Sequence, residues 1–280
     1  MPAPPLTIVT WNVLAAPWAA PGFYPAEMDP ALLDRSARVA LVATLLATLD
    51  ADVMCLQETT PPDLAVVFAR LGQGYEVHQT SNGPELWSSW STAEHPWEPN
   101  GTAIVWRRDA FTEVRTGVVA LSDDGNVAST IDATQVGSGR RVRVMSVHLD
   151  ADRPEPRRVQ LPAALAAFAP DPGRDAVELI AGDCNEDTVN TDLGAICHEH
   201  GFDDALTELG RFEPTHPYAR PTDDYAPLAR LDHVLVRGAQ PVDGRVLDSD
   251  VWAVPEPGRR LAEHLRITGS DHLPVTVSLR

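Results

Sequence analysis

Polar side chains stand at the ends of six apolar, strand-like segments of the chain. They are Asn12, Glu58, His148, Asp183 with Asn185, Asp232, and Asp271 with His272. Any one of them alone is typical of a turn or a capping position. Strand ends on one edge of a sheet converge in space, and α/β proteins place their ligands there. The repetition therefore predicts one shared functional site.

The residue types in this set suit a hard divalent cation beside a phosphate. Carboxylates and amide oxygens are the ligands that Mg²⁺ prefers, and histidines can stabilise charge on phosphoryl oxygens. A zinc centre would call for more histidine and cysteine at closer spacing, and the sequence contains no H-E-x-x-H motif. We therefore expect Mg²⁺ or Mn²⁺ as the cofactor.

Strand-like and helix-like segments alternate along the chain, which predicts an α/β (α+β) protein. The predicted strands are Leu6–Trp11, 52–57, 102–107, 127–136, 141–149, 177–182, 231–237 and 273–279. The predicted helices cover 31–49, 61–71, 157–169 and 190–200.

The strand-rich middle of the chain does not fit a nucleotide-binding doubly wound sheet, and no G-x-G-x-x-G follows the first strand. Segments 127–136 and 141–149, joined by Gly137-Ser138-Gly139, predict an antiparallel hairpin. We expect two packed mixed sheets flanked by helices, a four-layer sandwich, with residues 1–280 as a single domain. Segments 81–99 and 209–229 are predicted to be long, proline-rich loops.

Composition excludes several classes of function. The chain has 280 residues, a formal net charge of −18, and only arginine among its 22 basic residues. Without lysine there is no Walker-type phosphate loop and no Schiff-base chemistry. The negative charge argues against an extended duplex as partner, because binding of a phosphate backbone depends on clustered cations.

Cysteine content and the N-terminal segment bear on the compartment. Three scattered cysteines are too few for a disulfide framework. The uncharged first residues contain several prolines and lack a basic flank, so they resemble neither a signal peptide nor a membrane span. We expect a cytoplasmic protein with no membrane partner.

Taken in order, TWN, LQE, SVHL, GDCN, LDHVLV and SDHLPV resemble the motifs of the endonuclease/exonuclease/phosphatase superfamily, related to deoxyribonuclease I. TWNVLA, Tyr24-Pro25, an arginine at 35 or 38 and ADVMCLQE are most similar to the deadenylase and nocturnin branch. The tyrosyl-DNA phosphodiesterase branch shares several motifs and is the nearer alternative. Abasic-site nucleases commonly have an acidic residue where this chain has Leu14.

The resemblance implies metal-assisted hydrolysis of a phosphoester. It implies that Glu58 is the main metal ligand, with Asn12 beside it and Asp271 near the metal.

The remaining implied roles are catalytic. Asp183 would orient or deprotonate the attacking water, and Asn185 would bind a phosphate oxygen or that water. His272 would contact the scissile phosphate, with Asp232 orienting its ring. His148 would stabilise the phosphoryl oxygens.

Candidate substrate-binding residues lie outside these motifs. Asn126 matches a polar position in the deadenylase-like branch. Arg157 follows His148 closely enough to hold a second phosphate, although a solvated helix face is as good an interpretation. Trp90 belongs to a tryptophan-rich loop, which is either a satellite hydrophobic cluster or a surface that stacks a base.

The sequence thus predicts a metal-dependent phosphoesterase acting on a nucleotide-like or small phosphorylated substrate, with a short single-stranded nucleic acid as a further possibility. One alternative is a catalytically silent member that binds a ligand or partner through the same pocket. Another is a nuclease or tyrosyl-DNA-phosphodiesterase-like enzyme acting on single strands.

Overall fold

Two six-stranded sheets form the centre of the protein. The computed structural model describes residues 5–87, 98–168, 176–189, 191–217, 228–254 and 256–280. The strands are β1 (Leu6–Asn12), β2 (Val53–Thr59), β3 (Tyr75–Ser81), β4 (Gly101–Arg107), β5 (Phe111–Ala120), β6 (Val127–Gln135), β7 (Arg141–His148), β8 (Ala176–Asp183), β9 (Asp203–Asp204), β10 (Asp232–Arg237), β11 (Pro241–Val246) and β12 (Val275–Leu279).

Both sheets are mixed. The first has the order β11-β12-β1-β2-β4-β3 and the second β5-β6-β7-β8-β10-β9. In the first sheet β1 pairs with β2 in parallel and with β12 antiparallel. In the second, β7 pairs with β8 in parallel, and the predicted hairpin of β6 and β7 is confirmed.

The helices are α1 (Arg35–Leu49), α2 (Pro61–Leu71), α3 (Pro84–Trp87), α4 (Pro154–Ala167), α5 (Asp192–Glu199), α6 (Ala205–Glu208) and α7 (Pro257–Thr268). Short 3₁₀ turns lie at Pro21–Phe23, Pro30–Leu33 and Ser249–Ala253. Within the described residues, no helix has both the length and the hydropathy needed to cross a bilayer.

The core lies between the sheets and confirms the predicted four layers. Alternating apolar side chains of the two inner faces, such as Ile8 and Val53 from one sheet and Val144 and Leu179 from the other, share one buried cluster. On the outer faces, α1 packs against the first sheet and α4 with α5 against the second.

The predicted helix 31–49 is interrupted near its start. Residues Pro30–Leu33 form a 3₁₀ turn, and Asp34 then caps α1 by accepting a hydrogen bond from the backbone N–H of Ala37. The aspartate competes for the backbone as an N-cap, so the regular helix begins only at Arg35.

Four strands without a sequence prediction, β3, β5, β9 and β11, lie at the edges of the two sheets. Their side chains are mostly half-buried or exposed, so the apolar alternation that identifies a strand is weak. Helix α7 also lacks a prediction, and it contacts the rest of the protein through Leu261 and Leu265.

Candidate active site

The ends of strands from both sheets meet at one edge of the sandwich. In the second sheet Asp183 pairs in register with His148 on one side and with Asp232 on the other. From the first sheet, the Asn12 side chain donates one hydrogen bond to Glu58 (2.9 Å) and one to Asp183 (3.0 Å). Asn12 therefore connects the two sheets and brings the predicted residues together.

Glu58 owes its direction to an irregularity at the end of β2. The pairing of β2 with β4 shifts register between Leu56 and Thr59, and Glu58 adopts a left-handed φ of 55°. Such a bulge turns a side chain away from the regular alternation. Its carboxylate accepts the N–H of Ala15 at 2.8 Å. Burial raises the pKa of Glu58, and Asp271 nearby adds to that rise.

Asp183 is almost fully buried and faces two histidines. One of its oxygens, Oδ2, lies 3.5 Å from Nε2 of His148 and 3.6 Å from Nε2 of His272. Burial alone would raise the pKa of Asp183, but these imidazoles outweigh it and hold the pKa below its ordinary value. The preceding residue must be glycine, because a Cβ at Gly182 would lie 1.9 Å from the carbonyl oxygen of Val147.

His272 is held in place by a buried carboxylate. Its Nδ1 donates to Oδ2 of Asp232 at 2.8 Å, and its own carbonyl accepts the indole N–H of Trp11 at 2.8 Å. Burial lowers the pKa of His272, but the carboxylates of Asp232 and Asp183 outweigh it and raise the pKa to about 10. The ring is therefore an imidazolium at neutral pH.

Tyr24 and His216 also belong to this cluster, although the sequence did not predict a functional role for either residue. The Tyr24 hydroxyl donates to Oδ2 of Asp271 at 3.0 Å, and Nε2 of His216 lies 3.8 Å from the same oxygen. Despite burial, His216 and His272 keep the pKa of Asp271 low. Tyr24-Pro25 was a motif with no assigned role, whereas His216 lies within the predicted 209–229 loop and gave no signal.

Asn185 and Asn126 both border this cluster. Asn185 has a left-handed φ of 51°, and its backbone N–H donates to Asp183 at 2.8 Å while its side chain donates to the Leu149 carbonyl at 3.0 Å. Asn126 donates to the carbonyl of His148 at 3.0 Å, and its buried Oδ1 has no hydrogen-bond partner in the described structure. That oxygen is an unused hydrogen-bond acceptor at the border of the cluster.

Arg157, another predicted substrate contact, is held by hydrogen bonds within the protein. Nε of Arg157 pairs with Glu186 at 3.1 Å, and its Nη1 donates to the carbonyl of Asp150 at 2.7 Å. These contacts tie Arg157 to the loops after β7 and β8. Trp90 lies outside the described residues.

His233, next to Asp232 in the sequence, belongs to a different cluster. Side chains alternate along β10, so His233 points to the opposite face and bonds Asp204 through Nδ1 at 2.7 Å. Arg230 is 3.4 Å from the same carboxylate. Asp204 and His233 thus form a second buried carboxylate–imidazole pair like Asp232 and His272, but they lie outside the strand-end cluster.

The donor set around Glu58 fits a divalent cation. Glu58 and Asp271 offer carboxylate oxygens, and the charge of Asp271 lies close enough to raise the pKa of Glu58. Asp183, Asp232 and His272 also place one donor atom each within 4.8 Å of one another, and Oδ1 of Asp232 is buried without a partner. Sites rich in carboxylate oxygens whose negative charge is only partly neutralised by neighbouring groups suit Mg²⁺ or Mn²⁺.

Comparison with known proteins covers nearly the whole chain. A sequence profile of the Endonuclease/Exonuclease/phosphatase family matches residues 9–272. No curated protein sequence matches the chain significantly.

Solved structures share its fold at low identity. The mannosyl-6-phosphatase Bt3783 of Bacteroides thetaiotaomicron is 19% identical, with a TM-score of 0.68 over 98% of this chain and 99% of that chain. The human nocturnin catalytic domain is 19% identical, with a TM-score of 0.66 over 99% and 93% of the two chains. D. rerio TDP2 complexed with a single-strand DNA product is 17% identical, with a TM-score of 0.63 over 99% of each chain.

Proposed function

The chain belongs to the Endonuclease/Exonuclease/phosphatase family, and on that premise we propose that it is a divalent-metal-dependent phosphoesterase. Its substrate would be a phosphodiester or phosphomonoester of a nucleotide-like or small phosphorylated compound. The observation that carries the proposal is the position of Asp183. A buried carboxylate flanked by two imidazoles, and joined through Asn12 to the acidic Glu58, supplies the groups that phosphoester hydrolysis requires.

Glu58, Asn12 and Asp271 would hold the ion, which we propose to be Mg²⁺ or Mn²⁺. Such an ion supplies Lewis-acid stabilisation of a phosphoryl oxygen. Oδ1 of Asn12 accepts the N–H of Leu14 at 3.0 Å, and its second lone pair would be the one offered to the ion. The NH₂ group of Asn12 orients the carboxylate of Glu58, which supports metal binding without direct contact.

Side chains of the protein would orient the attacking water and stabilise the negative charge on the phosphate. Asp183, ionised at neutral pH, would accept a hydrogen bond from the attacking water and orient it, with Asn185 beside it. His272 would present its cationic ring to the scissile phosphate, fixed in orientation by Asp232. His148 would bind a second phosphoryl oxygen. In-line transfer needs this positioning and neutralisation of spreading negative charge.

The substrate proposal rests on charge and on the sequence motifs. A formal charge of −18 disfavours an extended duplex and is compatible with a metabolite, a dinucleotide or a short single strand. The unpartnered Oδ1 of Asn126 would accept a hydrogen bond from a substrate hydroxyl or amino group. The TWNVLA and Tyr24-Pro25 motifs favour the deadenylase and nocturnin branch, while solved structures of nocturnin, TDP2 and a sugar phosphatase are similar to comparable degrees.

Hydrolysis of matched aryl phosphomonoester and phosphodiester substrates, with a short oligoadenylate and NADPH alongside, tests this proposal. Turnover that needs Mg²⁺ or Mn²⁺ and stops with chelator is the expected result, and the preferred substrate assigns the class of ester. Metal binding without turnover of any of these compounds would contradict the proposed substrate class. Absence of both metal binding and turnover would favour a silent binding protein.

A further inference from the structure

A second group of possible metal ligands lies beside the proposed Mg²⁺ site and contains imidazole nitrogens as well as a carboxylate. His216, Asp271 and His272 each place one donor atom within 4.8 Å of a donor atom from the other two. Nε2 of His216 is 3.8 Å from Oδ2 of Asp271, and the two imidazole rings are 4.4 Å apart between centroids. Two nitrogens and one carboxylate oxygen form a donor set that binds late first-row ions such as Zn²⁺ in preference to Mg²⁺.

One donor pair of this group already has nearly the separation that such an ion requires. Zinc bonds of about 2.0–2.1 Å to nitrogen and oxygen place tetrahedral donors about 3.3 Å apart. Oδ2 of Asp271 and Nε2 of His216 are already within half an ångström of that separation. His216 and Asp271 are half-buried, so the fourth position can be filled by water.

His272 is prepared for this role by Asp232. The buried Asp232 carboxylate holds Nδ1 of the ring, which leaves Nε2 as the available donor. A carboxylate behind a metal-binding imidazole is the usual arrangement in zinc sites, because it fixes the ring and increases its basicity. An incoming ion would displace the proton from Nε2, and this proton would pass to solvent.

We propose that His216, Asp271 and His272 form an inhibitory Zn²⁺ site. Zinc there would withdraw Nε2 of His272 from the phosphate and would share Asp271 with the Mg²⁺ site. The inhibition rests on the proposed phosphoesterase function, whereas the binding of zinc does not. The site is therefore testable in the absence of any known substrate.

Zinc binding is measured by competition with a chromophoric chelator in saturating Mg²⁺, for the wild type, His216→Gln and the control His198→Gln. His198 is an exposed histidine that also faces a carboxylate, Asp203, at 3.1 Å. We expect one zinc ion per wild-type chain, binding weakened at least about tenfold in His216→Gln, and no change in His198→Gln. Equal zinc affinity of His216→Gln and the wild type would overturn the proposal.

X-ray absorption at the zinc edge of the wild-type protein provides a readout that does not depend on a variant folding. Two imidazole ligands are expected, and an all-oxygen shell would overturn the site. If zinc binds with two imidazoles but Mg²⁺-dependent turnover is absent, the proposed function fails and the zinc site stands. If turnover is present and zinc at stoichiometric occupancy leaves it unchanged, the inhibitory role fails and the proposed function stands.

Discussion

Replacing Asp232 with asparagine isolates the electrostatic role of the carboxylate behind His272. The substitution preserves shape and a hydrogen-bonding group at a fully buried position, 2.8 Å from Nδ1 of the ring. It removes the negative charge that favours the imidazolium. If His272 acts as a cation toward the phosphate, activity must disappear at lower pH than in the wild type.

The size of the effect follows from the pKa of His272. Burial lowers this pKa, and the neighbouring carboxylates nevertheless raise it from 6.5 to about 10. That difference corresponds to on the order of 5 kcal/mol in favour of the cation, shared mainly by Asp232 and Asp183. Loss of roughly half would move the loss of activity about two pH values lower, so kcat would fall about tenfold near pH 9 and change little at pH 7. KM should change less, since the cation contributes most where charge develops.

The assay is the pH profile of kcat with a saturating phosphoester and Mg²⁺, between about pH 6 and pH 10. The wild type should lose activity only as the pH rises through about 10, and Asp232→Asn should lose it at distinctly lower pH. Asp204→Asn is the matched control, because it removes the carboxylate of the other buried pair, 2.7 Å from His233. If Asp232→Asn kept the wild-type alkaline limb, His272 would not act as a cation that depends on Asp232.

Three further predictions concern metal affinity, pH-dependent stability and packing. Calorimetry should show Mg²⁺ binding weakened at least about tenfold in Glu58→Gln. Asp183→Asn should instead lower kcat far more than Mg²⁺ affinity. A larger loss of Mg²⁺ affinity in Asp183→Asn than in Glu58→Gln would contradict the assigned roles. With chelator present, His272 should contribute fully to the free energy of unfolding below pH 6.5, because its pKa is higher in the folded state. This contribution should disappear as the pH rises through about 10. Urea titrations across this range that show no decline in stability would contradict the prediction. Leu46→Ala, at a fully buried position of α1, should cost about 2–5 kcal/mol in urea unfolding. Val66→Ala, with 48% of the residue exposed, should stay within about 0.5 kcal/mol.

The sequence predicted the residues of the site better than their arrangement. Asn12, His148 and Asp183 end regular strands, so the apolar pattern alone located them and the α/β architecture predicted their convergence. Likewise, alternation along β10 separates Asp232 from His233 without knowledge of any contact.

What the sequence could not predict depends on contacts distant along the chain. The direction of Glu58 depends on a register shift against β4, and no local pattern encodes that shift. Tyr24 reaches Asp271 across 247 residues of sequence, and His216 reaches it through an irregular segment. The edge strands β3 and β5 were missed because half-exposed strands lack a strong apolar period.

The Mg²⁺ activation curve of phosphoester hydrolysis, measured for the wild type, Glu58→Gln and Asp183→Asn, tests the metal-dependent mechanism most directly. We predict chelator-sensitive wild-type turnover, a curve displaced to higher Mg²⁺ for Glu58→Gln, and a depressed plateau with little displacement for Asp183→Asn. Wild-type curves for both variants, or turnover that persists in chelator, would contradict the assignment of this strand-end cluster as a metal-dependent hydrolytic centre.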